Sequence, residues 1–220
     1  MYRTLKETAK KTVPGRALDL LNEGVVRVNR LLTEDPFAAE EDPPLLIHCC
    51  HHRSGTVWFT RVLETFARQY GLYFQAGAQE ELRSSTDIFL QDHSQLDRAA
   101  LPPYRGSHMI RDPRDMVVSG YHYHLWTEEE WAQVPSEAYD GKSFQQALNE
   151  ASKKRGMILE MERFCREDLQ DMLQWDYDDP AFLELKYEEV IADEATHFET
   201  LFNHYGFHDE AVDVGLEIAE

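Results

Sequence analysis

The chain has 220 residues, 42% of them hydrophobic and 11% aromatic, which is enough for one packed domain and too apolar for a disordered segment. Its formal net charge of −19 argues against nucleic acid or an anionic membrane as a partner. Its apolar runs are a few residues long, far short of the roughly 20 needed to span a bilayer, and three cysteines, two of them adjacent, predict reduced thiols in a cytoplasmic protein.

The N-terminal MYRTLKETAKK is basic but has no apolar core, so it does not read as a secretory signal. Residues 1–33 predict a helical lead-in, broken at Pro14-Gly15, with a stripe at Leu18, Leu21, Val25, Val28 and Leu32. TEDPFAAEEDPP, 33–44, is a proline-bearing linker, so 1–44 is lead-in and linker and 45–220 one domain. Leu45 to Cys49 read as a buried strand, followed by a helix over about 56–70 whose stripe is Phe59, Val62, Leu63, Phe66 and Tyr70, stopped by Gly71.

Further strands are expected at 72–75, 86–90, 107–110 and 181–186, and helices at 113–125, 143–152 and 157–174. Asp193 caps a last helix with the stripe Phe198, Leu201, Phe202 and Tyr205, ended by Gly206. Strands alternating with helices predict the α/β class, a single-domain parallel sheet flanked by helices, with ligands at the carboxyl ends of the strands.

Two stretches fall at such ends. In LLIHCCHHRSGTVW, 45–58, a strand runs through a polar loop into a helix start. Free amides, the helix dipole, the Arg53 guanidinium, the hydroxyls of Ser54 and Thr56 and a close approach at Gly55 all suit phosphate-like oxygens. The common nucleotide loop GxxxxGK[ST] is absent. In GSHMIRDPRDMVVSGYHYH, 106–124, Asp112 predicts an N-cap, Pro113 the first helical position, and Val117, Val118, Tyr121 and Leu125 a buried stripe. Arg111 at the strand end and Ser119 two turns along lie on nearly one face, suited to a second anion.

RSGTVW and RDPRDMVVS together resemble the two cosubstrate signatures of the sulfotransferases, which use 3′-phosphoadenosine 5′-phosphosulfate (PAPS). The resemblance covers about 45–205 and implies the P-loop-like sulfotransferase fold. By motif it places Arg53, Ser54, Gly55, Thr56, Val57 and Trp58 on the 5′-phosphosulfate side and Arg111 with Ser119 on the 3′-phosphate. The family's cytosolic members carry PKSGTTW where this chain has HRSGTVW. An arginine keeps the charge but is a poor proton donor, so Arg53 is expected to stabilise the leaving phosphate electrostatically.

The family's base is a histidine in a KTHLP context between the motifs, and DIFLQDHSQLD puts His93 there, with Gln91-Asp92 in place of Lys-Thr. A solvent-facing loop histidine is the plain alternative, and Glu80, Glu81 and Asp87 are weaker candidates for the base. Trp58 either stacks on adenine or packs in the core. Tyr187, in LELKYEEV, resembles the element that touches adenine in this family, or else closes the sheet edge.

The cluster His48, Cys49, Cys50, His51 and His52 invites a metal, but neighbours along a strand diverge, so no metal is expected. His122 and His124 read as solvated or as the mouth of an acceptor pocket. The family's C-terminal RKGxxGxW-type cosubstrate loop has no counterpart before the final GLEIAE.

The resemblance thus implies a sulfotransferase moving a sulfuryl group from PAPS to a hydroxyl or amine of a small-molecule acceptor, the negative charge favouring a neutral or cationic one. A non-catalytic nucleotide-binding module and a small-molecule kinase are the alternatives. The sequence leaves oligomeric state and acceptor identity open.

Overall fold

The strands are β1 (Leu45–Cys50), β2 (Phe74–Ala76), β3 (Ile88–Gln91), β4 (Tyr104–Ile110) and β5 (Phe182–Lys186) in a computed structural model that describes residues 24–26, 28–38 and 42–220. They form one sheet in the order β2-β3-β1-β4-β5, with every neighbouring pair parallel. The central strand β1, LLIHCC, is buried at all six positions, because it is covered on both faces. Leu46 and Cys50 face one hydrophobic cluster, and Leu45, Ile47 and Cys49 face the other.

From β1 onward the α-helices are α1 (Thr56–Tyr70), α2 (Pro113–His124), α3 (Glu130–Gln133), α4 (Phe144–Glu150), α5 (Lys153–Arg166), α6 (Asp168–Gln174), α7 (Tyr187–Ala192), α8 (Glu194–Tyr205) and α9 (Asp209–Ala219). The larger cluster joins the sheet to α1 through Phe59, Val62, Leu63 and Phe66, and to α8 through Phe198, Leu201, Phe202 and Tyr205. A chain of rings fixes this layer: Phe66 stacks on Phe202 at 5.5 Å and on Phe207 at 4.5 Å. Phe37 is buried against Phe207, 5.3 Å between centroids.

Helix ends follow local chemistry. Asp112 caps α2 by accepting from Arg114 N, with Pro113 at its first position, and Asp193 caps α8 by accepting from Thr196 N. Gly71 and Gly206 end α1 and α8 in the left-handed conformation that glycine adopts without strain.

The expected helix over 157–174 is two helices, α5 and α6, broken at Glu167 with φ −115 and ψ −93. The Arg163 guanidinium bridges Glu160, Glu167 and Asp168 across that break. The buried residues of α2 are Met116, Gly120, Tyr121 and His124; of the expected stripe Tyr121 is buried, Val117 and Leu125 are partly buried against core clusters, and Val118 is exposed. Helices α7 and α9 were not foreseen. Gly215 of α9 approaches Phe202 so closely that a Cβ would lie 2.5 Å from its ring, and Ala211, Val212 and Leu216 pack on the same core beside it.

Leu18, Leu21 and Pro14-Gly15 of the expected lead-in lie outside the described residues. Within them, Val25, Val28 and Leu32 are exposed, the backbone at Val26 and Arg30 packs against Gly71, and polar side chains tie the segment to the domain. Asn29 Nδ2 donates to the Arg68 carbonyl at 2.9 Å, and Arg30 pairs with Asp87 at 2.8 Å. Among the described residues, no helix is long and apolar enough to cross a membrane.

Candidate functional site

The loops after β1, β3, β4 and β5 converge at the carboxyl ends of the strands, where parallel sheets hold ligands. The first loop is shaped by its own hydrogen bonds. Ser54 Oγ donates to the His51 carbonyl at 2.7 Å and accepts from His51 N at 2.9 Å, and Ser54 is fully buried. The Ser54 hydroxyl expected to face an anion is therefore spent on the turn itself. Thr56 Oγ1 lies 3.2 Å from Cys50 Sγ.

Arg53 and Gly55 both have positive φ, 68° and 104°. The glycine is required by its backbone: a side chain would be strained at that φ, although a Cβ there would stand at an ordinary contact distance of 3.4 Å from the Tyr187 ring. Gly55 also caps α1 without a side chain, so no side chain takes the amides of Thr56, Val57 and Trp58. The Val57 side chain is exposed and can offer a ligand little beyond its backbone.

Arg53 stands between the two residues expected to share the second anion. Its Nε donates to Ser119 Oγ at 3.0 Å, and its carbonyl accepts from Arg111 Nη1 at 2.9 Å. Ser119 thus meets the first motif as well as its own. The guanidinium of Arg53 lies 4.4 Å over the Tyr123 ring, and that of Arg111 lies 4.4 Å over the Tyr187 ring. Arg111 Nε is buried without a hydrogen-bond partner, 3.9 Å from Glu188. Trp58 is half-buried and packs edge-on against Phe59 and Phe198, at 5.6 and 5.3 Å. Arg53, Gly55, Trp58, Arg111 and Tyr187 line one cavity of about 500 Å³.

His93 follows β3 and is 52% exposed, its Nε2 4.0 Å from Asp92 Oδ1. It opens onto a neighbouring cavity of about 480 Å³ with Trp131, Arg163 and Glu167. His52, Asp92 and Glu129 line both cavities and so form the wall between them. The weaker candidates lie elsewhere. Asp87 pairs with Arg30, and Glu80 lines a cleft with Leu45 at the amino end of the sheet.

The structure adds a pattern of histidines that the motifs did not show. His52 Nε2 lies 3.1 Å from His124 Nε2, and His124 Nδ1 lies 2.7 Å from Glu160 Oε2. One residue earlier, His51 Nε2 lies 2.9 Å from His108 Nε2, and His108 Nδ1 lies 2.7 Å from Glu184 Oε2. Adjacent residues of the first loop thus feed two separate histidine–carboxylate chains. His124 is fully buried rather than solvated, and Glu160 beside it is fully buried too, with its charge met by Arg163.

Burial, followed by the charges of His124 and Arg163, lowers the His52 pKa to about 3. Burial followed by His108 does the same for His51. Burial also pushes the Cys50 thiol up to about 12 and raises Cys49, so both stay protonated. The HCCHH cluster was visible in the sequence, but its partners lie 57 and 72 residues away and carry no spacing signal.

No family profile matches this chain, and no curated protein sequence matches it. Among solved structures, it is similar to mouse sulfotransferase SULT7A1 complexed with PAP, with TM-score 0.53 and 17% identity over 90% of this chain and 70% of that one. It also resembles retinol dehydratase in complex with androsterone and the inactive cofactor PAP, with TM-score 0.48 and 14% identity over 81% of this chain and 65% of that one. A sulfotransferase from Alicyclobacillus acidocaldarius aligns at TM-score 0.42 and 11% identity, over 76% and 82% of the two chains. At these identities the first likeness establishes the fold, a five-stranded parallel sheet flanked by helices as in sulfotransferases.

Proposed function

We propose that this chain is a sulfotransferase that moves a sulfuryl group from PAPS to a hydroxyl or amine of a small acceptor. One observation carries the reading most: Arg53, Arg111, Tyr187 and the uncapped start of α1 line a single cavity at the carboxyl end of the sheet. In this reading the amides of α1 and the Arg53 guanidinium hold the 5′-phosphosulfate, Arg111 serves the 3′-phosphate with Ser119 supporting the site through Arg53, and Tyr187 and Trp58 flank the adenine.

The acceptor enters from the cavity lined by His93. His93 takes its proton, the acceptor oxygen or nitrogen bonds to sulfur, and the bond from sulfur to the 5′-phosphate oxygen breaks. The products are a sulfate ester or sulfamate and 3′-phosphoadenosine 5′-phosphate. Arg53 stabilises the charge that returns to the phosphate; a guanidinium cannot supply a proton there. The cavities share a wall, so the two reactants meet at His52, Asp92 and Glu129.

Calorimetric titration with 3′-phosphoadenosine 5′-phosphate and with ADP tests the reading. Preference for the 3′-phosphate, lost by roughly 10- to 100-fold in Arg111→Ala, supports it, a charge-assisted pair being worth about 1.5–3 kcal/mol. Equal binding of the two nucleotides overturns it, and Mg²⁺-dependent turnover of ATP would indicate a kinase.

A further inference from the structure

The wall between the two cavities holds a group of side chains to which neither the motifs nor the proposed reaction assigns a chemical role. His52 comes from the loop after β1, His124 from the last turn of α2, and Glu129 from the segment before α3. Their ligand atoms all lie within 4.8 Å of one another, and theirs is the one such group of three found among the described residues.

We infer that His52, His124 and Glu129 form a binding site for a divalent transition metal, zinc in the first instance, with an open position facing the shared cavities. Orientation of the donors carries this. His124 Nδ1 is 2.7 Å from a carboxylate oxygen of Glu160, both side chains fully buried, so Nδ1 bears the proton and Nε2 presents its lone pair. That lone pair points at His52 Nε2, 3.1 Å away. Two imidazole nitrogens this close need either a shared proton or a cation to one side of them that both lone pairs reach. Their separation is close to the roughly 3.3 Å that two nitrogens about 2.0–2.1 Å from a tetrahedral zinc would show.

Glu129 is held in the same way. Tyr123 Oη donates to its Oε1 at 2.8 Å and Trp131 Nε1 donates to its Oε2 at 2.7 Å, leaving lone pairs on both oxygens. A carboxylate behind a ligating imidazole and donors behind a ligating carboxylate are the outer supports that metal sites use. Two imidazoles, one carboxylate and an open position constitute a ligand set suited to zinc, the remaining place going to water or an acceptor hydroxyl.

The second histidine chain is an internal control. His51, His108 and Glu184 repeat the carboxylate–imidazole–imidazole order, but no third donor joins them and both imidazoles are fully buried. That chain is a hydrogen-bonded strut. The inference does not rest on the sulfotransferase reading, since the donors are there whatever nucleotide binds.

Cobalt(II) titration of the chelator-treated full chain, followed by absorption spectroscopy and by calorimetry with zinc, tests the site. The expected result is one equivalent bound, with intense d–d bands of a four-coordinate site that zinc displaces. His52→Asn and Glu129→Gln, both only partly buried, should each remove those bands while circular dichroism stays unchanged. Glu160→Gln should weaken binding by roughly 10- to 100-fold, as loss of an outer-shell partner does. Absence of d–d bands, or bands that persist in His52→Asn and Glu129→Gln, overturns the site and leaves a hydrogen bond between two histidines. PAP titration of the same samples reads the nucleotide site separately, so the two failures are distinguishable.

Discussion

Arg53 Nε donates to Ser119 Oγ at 3.0 Å, tying the loop after β1 to the middle of α2. The serine of the second motif therefore acts on the arginine of the first. Nucleotide affinity should fall in Arg53→Ala and in Ser119→Ala, less in the second. The double variant should bind no worse than Arg53→Ala, because Ser119 works through the side chain already removed. Calorimetry on the four proteins measures this; costs that add within about 0.5 kcal/mol would mean that Ser119 reaches the ligand independently.

Gly55→Ala should lose both stability and binding. Its φ of 104° is foreign to alanine, while the new methyl itself would fit against the Tyr187 ring at 3.4 Å. Backbone strain of this kind costs on the order of 1–3 kcal/mol. Urea unfolding should show that loss, and PAP binding should weaken beyond it because the loop moves away from α1.

Gly120→Ala tests the contact between α2 and α5. A Cβ at 120 would sit 2.6 Å from Glu160 Oε1, displacing a fully buried carboxylate that holds both His124 and Arg163. The expected loss is roughly 1–3 kcal/mol in urea unfolding. A neutral outcome would mean that Glu160 has room to retreat.

His48 makes stability depend on acid. Its ring stacks on Phe59 at 4.2 Å, its Nδ1 lies 2.7 Å from Ser107 Oγ, and burial followed by His108 lowers its pKa to about 3. The folded protein keeps it neutral while the unfolded chain takes a proton near pH 6.5. Its contribution is complete above pH 6.5 and is lost as pH falls toward 3. His48→Asn, which does not titrate, should flatten the fall in unfolding free energy between pH 6 and 4 by about 1.4 kcal/mol per pH unit. An unchanged slope would mean that the imidazole is charged in the fold.

His93→Ala should abolish sulfuryl transfer and leave nucleotide affinity within a few-fold, because His93 lines the cavity proposed for the acceptor and not the one proposed for the donor. Single-turnover assays with labelled donor and a pool of phenols and amines check this. Full activity in the variant would move the proton-accepting role to another group on the shared wall.

The elements legible in advance were those whose signals are local. LLIHCC reads as a strand buried on both faces, the start of α1 follows Gly55, and the ends of α2 and α8 sit at Asp112-Pro113, Asp193 and Gly206. Each depends on the side chain or backbone freedom of one or two residues, so each can be read from neighbours in the chain. Where the local signal was weak, the reading slipped. The buried stripe of α9, Ala211, Val212, Gly215 and Ala219, is short and mostly small, and the break at Glu167 is decided by Arg163 gathering three carboxylates rather than by a glycine or proline.

The sequence alone determined the parallel α/β fold and the two loops proposed to hold anions, because hydrophobic pattern and turn chemistry act within a few residues. Only the tertiary structure decided what the polar groups do. It spent the Ser54 hydroxyl on its own turn, set Arg53 between Arg111 and Ser119, and buried Glu160 behind His124 so that His52 and His124 face each other. Those pairings join residues 36 to 72 positions apart, apart from the Ser54 turn, and they exist because a buried polar group must find a partner wherever the packing puts one.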